Sequence, residues 1–157
     1  MNSLTLTHNT DETLDFLNRY TDVVHNAKQF ALRKAANVIK DETISTFKKT
    51  GIHYGRNPLY SDTLIEGIRT SKINADTIKV HIMGVRSKKS GTFRLRFFEN
   101  GTKDRFQKTY NGKPLKKKRN LGHINAYNFF ESAKSSSINK AEETFTEMFD
   151  KYISNNS

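Results

Sequence analysis

The chain has 157 residues, a formal net charge of +11 and only 34% hydrophobic residues, a balance that fits one domain with a modest core and long polar segments. It contains no Cys, which excludes a disulfide framework, a thiolate nucleophile and a Cys-based zinc site. No run reaches the roughly 18 apolar residues of a membrane helix, so no membrane contact is expected. The opening residues lack the basic-then-apolar pattern of a secretory signal, and a cytoplasmic origin is expected.

The charge is concentrated. Residues 86–119 hold 13 Lys or Arg against two acids, Glu99 and Asp104, which accounts for the whole +11. The rest of the chain balances 14 bases with 14 acids. A local excess of this size implies a polyanionic partner or a strongly cationic surface.

Taken in order, residues 1–10 are polar and expected to fray. A helical stripe follows: Leu17, Tyr20, Val24, Ala27, Ala31, Ala35 and Val38 recur in steps of three and four, extended by Ile39, Ile44 and Phe47. Asp11, Glu12 and Asp15 suit the positive end of the helix dipole, and Lys48 and Lys49 the negative end before Gly51. So long a helix predicts a break near Tyr20 to Asp22. Residues 51–63 read as a loop from their Gly, Asn-Pro and Ser-Asp content.

Residues 64–74 fit a short helix or a strand equally. Residues 77–85 are β-branched and alternating, and predict a strand. Residues 92–98 alternate Phe93, Leu95 and Phe97 against Arg94 and Arg96, and predict a second strand that pairs with it as a hairpin across the polar residues 86–91. Residues 102–123 carry few apolar side chains and predict a long basic loop. A final helix is expected from Asn125 to about Ile153, with a kink at Ser135, Ser136 and Ser137, and residues 154–157 frayed. The fold class is α+β: a single domain over 1–157, with a small antiparallel sheet on which a long N-terminal and a C-terminal helix pack.

Catalytic signatures are weak. His8, His25, His53, His81 and His123 show no helical metal spacing, and there is no G-x-S-x-G, phosphate loop or dinucleotide fingerprint. Neither catalytic residues nor a cofactor or metal is assigned, and the chain reads as a non-enzyme. His25 reads as a packed or half-exposed helix residue rather than a ligand, and His81 as a polar-face strand residue. Glu99 and Asp104 make a poor carboxylate pair for a nuclease. Phosphate contact is better founded. Lys103, Arg105, Lys108, Lys113, Lys116, Lys117, Lys118 and Arg119 can neutralise several phosphates, and the interleaved Phe106 and Tyr110 can stack on exposed bases. Phe98, Glu99, Gly101 and Thr102 form a sharp corner where the apolar segment ends; Gly101 suits a positive φ, and Glu99 is expected to pair with a nearby Arg or Lys.

Three motifs, in this order, resemble the tail-completion or head–tail joining proteins of long-tailed bacteriophages: Leu64-Ile65-Glu66-Gly67-Ile68 after Pro58, the Phe98-Glu99-Asn100-Gly101-Thr102 corner, and the Asn125-Ala126-Tyr127-Asn128-Phe129-Phe130-Glu131-Ser132-Ala133 helix start. The resemblance spans about residues 20–152. It departs from the family at Asn100, at Ser61-Asp62, and in lacking a proline ahead of the Phe129-Phe130 pair. It implies a structural virion protein of the neck or tail, assembled in the host cytoplasm. Such a protein acts as a homo-oligomeric ring, a hexamer on assembly, around the DNA channel. Its implied partners are the neighbouring connector and the tail-tube or terminator proteins, with the basic segment facing packaged DNA through nonspecific contacts or an acidic partner protein. A free, sequence-nonspecific nucleic-acid-binding protein is the alternative.

Overall fold

A computed structural model describes residues 10–52, 64–82 and 94–156. The order is α1 (Thr10–Lys49), β1 (Arg69–Asn74), β2 (Thr77–His81), α2 (Leu95–Asn100), β3 (Phe106–Tyr110), β4 (Lys113–Asn120) and α3 (Phe129–Asn156). The class is α+β, with two separate two-stranded antiparallel sheets. The expected loop segment at 53–63, the turn at 86–91 and the frayed residues 1–9 and 157 lie outside the described residues.

The frame is an antiparallel pair of long helices. Phe47 near the end of α1 meets Phe129 at the start of α3 edge-on at 5.0 Å, and Phe30 meets Tyr152 at 5.6 Å. Along this seam small residues let the backbones approach: Ala27, Ala31 and Ala36 on α1, Ala133, Ser137 and Ala141 on α3. The buried hydroxyls of Thr43 and Ser137 donate to the carbonyls of Ile39 and Ala133, each at 2.7 Å, so neither is left unsatisfied in the seam.

The larger core lies at one end of this frame. Phe47, Leu64, Ile68, Leu95 and Phe129 are buried there, with Ile44, Phe98 and Phe130 packed against them. Truncating Phe129 to Ala would remove both its burial and its ring contact, a loss of about 3–5 kcal/mol.

Several expectations are corrected. α1 runs unbroken through Tyr20 and Asp22 for 40 residues. β2 pairs not with residues 92–98 but with β1, Arg69 opposite His81 and Thr70 opposite Val80. The second expected strand is a short helix: in α2, Leu95 and Phe98 stand three apart and enter the core together, while Arg96 points out. The last helix starts at Phe129 rather than Asn125 and passes through its three serines without interruption, each hydroxyl bonding a carbonyl three or four residues back. It continues to Asn156, so residues 154–156 are helical.

The expected basic loop at 102–123 is mostly a β-hairpin. Asn111 and Gly112 make its turn with φ of 48° and 77°, the two positive values a tight hairpin turn requires.

Candidate functional site

The two hairpins differ in how they are held. β1–β2 lies along α1: Lys28 pairs with Asp76 at 2.7 Å, and Lys72 donates to the Gln29 side chain at 2.7 Å. The Lys28 ammonium lowers the Asp76 carboxyl below its ordinary value, first through the hydrogen bond and then through its charge. Among the described residues, β3–β4 has its extensive contacts only between its own strands. Every described side chain of its strands is exposed except Gln107 and Leu115, which are half-buried.

A corner built by α2 fixes the base of this second hairpin. Gly101 has φ 70° and ψ −178°, and a Cβ there would lie 2.9 Å from both the Ala126 nitrogen and the Ile124 oxygen. Only glycine allows the two chain segments to approach so closely. Thr102 N–H donates to the Ile124 carbonyl at 2.9 Å, and Ile124 N–H donates back to the Thr102 hydroxyl at 3.0 Å. The Tyr127 and Asn128 amides donate to the Phe98 and Glu99 carbonyls at 2.8 and 3.2 Å. Further out, the Arg105 amide reaches the Gly122 carbonyl at 2.9 Å, and Asp104 meets His123 at 3.2 Å.

Glu99 is the centre of the corner, though not in the role expected of it. Its carboxylate accepts from the Phe130 amide at 2.8 Å and the Glu131 amide at 3.2 Å. It therefore caps the first turn of α3 from another element, where the helix exposes unpaired N–H groups and positive dipole charge. The expected Arg or Lys partner is replaced by the helix itself. Glu99 is buried at 7% exposure while Asp104 faces His123, so the two acids considered for hydrolysis are not assembled together. Among the described residues no group of three or more His, Cys, Asp or Glu could hold a metal.

All eight cations assigned to the basic segment are exposed. Lys103 and Arg105 lie on the approach to β3, Lys108 is central in β3, and Lys113 opens β4 opposite Tyr110. The register shifts between Gln107 and Thr109: Gln107 faces Arg119, but Thr109 faces Pro114. Lys116, Lys117 and Lys118 thus occupy an excursion of β4 opposite Lys108 alone. Like charges placed together destabilise a strand pair. Among the described residues none of the eight forms an ion pair. Phe106 and Tyr110, at 51% and 64% exposure, stand at alternate positions on β3 with Lys108 between them. Sequence reasoning missed the hairpin, for which Asn111-Gly112 was the available signal, and the capping role of Glu99.

No protein-family model, curated protein or solved structure matches the chain.

Proposed function

We propose that this is a structural virion protein of a long-tailed phage, which completes the tail and joins it to the head as a ring around the DNA channel. One observation carries the reading: six exposed cations sit on a largely exposed hairpin, with Lys103 and Arg105 on its approach, and among the described residues its backbone is tied at its base. An isolated two-stranded hairpin is marginal in water, and this one gathers like charges, so its stable context is an assembly that includes a polyanion. Packaged DNA supplies that anion, and each neutralised phosphate releases a counterion. The order of the three sequence motifs and their placement at the helix-pair core support the phage assignment.

The alternative is a free, nonspecific nucleic-acid binder. It is favoured by Phe106 and Tyr110, whose exposed rings beside cations suit unpaired bases. Tight binding to single-stranded DNA by the isolated protein at physiological salt would support it.

The test is joining in vitro. Purified protein added to separated heads and tails should restore joined particles. A variant with Lys116, Lys117, Lys118 and Arg119 changed to Gln should fail at equal helix content. Equal joining by that variant removes the hairpin from the function. Joining without the protein ends the proposal.

A further inference from the structure

The stripe that buries Ala27 and Ala31 against α3 does not stop where α3 stops. Tyr152 lies beside Phe30, and α3 ends at Asn156, about one turn later. The first three turns of α1 therefore run past the end of their partner. There the same stripe is open to solvent: Leu17 is 52% exposed and Tyr20 49%, with Leu14 at 57% beside them. Residues 10–22 are also acidic, with four acids against the single base Arg19. Asp15 and Asp22 are exposed there.

The β3–β4 hairpin is the complement of this surface. Phe106 and Tyr110 expose apolar rings, flanked by Lys108 and, across the strands, by Lys113. Nonspecific contact along the phosphates of double-stranded DNA engages the cations and leaves those rings without an apolar partner. The cations at 116–119 are free to meet phosphate; the rings need an apolar partner.

One molecule does not join its own two surfaces. The hairpin leaves the corner beside Phe129 and Phe47, whereas the open stripe lies about 40 Å away along α1, at 1.5 Å per residue. Like surfaces do not pair either: two copies of the helix end would set acids against acids, and two hairpins cations against cations. We propose that the exposed N-terminal turns of α1 in one copy dock on the Phe106–Lys108–Tyr110–Lys113 face of the hairpin in a second copy. The contact is head-to-tail, so it propagates, and it closes into a ring where the rotation allows. It rests on the ring reading above only for that closed end state.

The test uses two variants of the full chain. The first removes the helix surface by Leu14→Ser, Asp15→Asn, Leu17→Ser and Asp22→Asn. The second removes the hairpin rings by Phe106→Ser and Tyr110→Ser. After nuclease treatment, at low salt and about 100 µM, sedimentation of the natural protein should show oligomers larger than dimers. Each variant alone should associate at least roughly tenfold more weakly at unchanged helical circular dichroism. An equimolar mixture should form dimers and stop, since each pair then uses one intact helix end and one intact hairpin. Charge exchange, Asp15→Lys and Asp22→Lys with Lys108→Glu and Lys113→Glu in one chain, should restore larger oligomers. A monomeric natural protein, unimpaired association of either variant, or no dimer in the mixture overturns the contact. Head–tail joining reads the function separately: association lost with joining intact removes the contact from the function, and joining without the protein ends the phage reading but leaves the contact standing.

Discussion

The Glu99 carboxylate lies 2.8 Å from the backbone nitrogen of Phe130, tying the end of one helix to the start of another. This bond and its neighbour to Glu131 do the work of an N-cap that the preceding residue, Asn128 at φ 48°, does not supply. Glu99→Ala should cost about 2 kcal/mol, because two part-buried helix-end hydrogen bonds lose their charged acceptor. Glu99→Gln, which keeps one acceptor oxygen, should cost about half as much. Thermal melts would show this as a fall of roughly 2–4 °C per kcal/mol. Equal melting of all three proteins would refute the capping role.

Gly101 and Gly112 both have positive φ but differ in surroundings. At Gly112 an added Cβ meets nothing within 4 Å, whereas at Gly101 it meets two backbone atoms at 2.9 Å. Gly112→Ala should cost about 1 kcal/mol, from the backbone conformation alone. Gly101→Ala should cost on the order of 3 kcal/mol, since strain and collision add. Urea unfolding of both variants checks the order; a reversed order contradicts the corner geometry.

His81 gives the fold a pH dependence. Burial, reinforced by Lys79 and Arg69, lowers its imidazole below the ordinary value of 6.5. Its Nδ1 is buried without a hydrogen-bond partner among the described residues. The unfolded chain takes up a proton near pH 6.5 while the folded site resists it. The stability from neutral His81 is therefore present above pH 6.5 and lost as pH falls through the lowered value. Urea midpoints at pH 7.5 and 5.5 should separate less for His81→Gln than for the natural protein.

The hairpin cations predict a salt dependence. If Lys116, Lys117, Lys118 and Arg119 each neutralise one phosphate of duplex DNA, changing all four to Gln lowers the slope of log K against log salt by about 3.6. Titration by fluorescence anisotropy at several salt concentrations measures it. An unchanged slope would mean that these side chains do not meet DNA.

The helices were legible because their apolar stripes are long: Leu17 through Phe47 holds one period over many turns. Residues 92–98 misled because so short a run fits both periods, and burial of Leu95 and Phe98 three apart decided for helix. The β3–β4 hairpin was hidden for a different reason. Alternation records one wet and one dry face, and a strand pair wet on both faces leaves no such record. Its Asn111-Gly112 turn was the only trace. For Glu99 the sequence pointed to a nearby Arg or Lys, but the partners are backbone amides 31 and 32 residues away, which emerge only with the fold.

The most direct test of the central claim is electron microscopy of particles from a phage lacking this gene. Filled heads beside separate, full-length tails are expected, with joining restored by supplying the protein. Normal, infectious particles would contradict it.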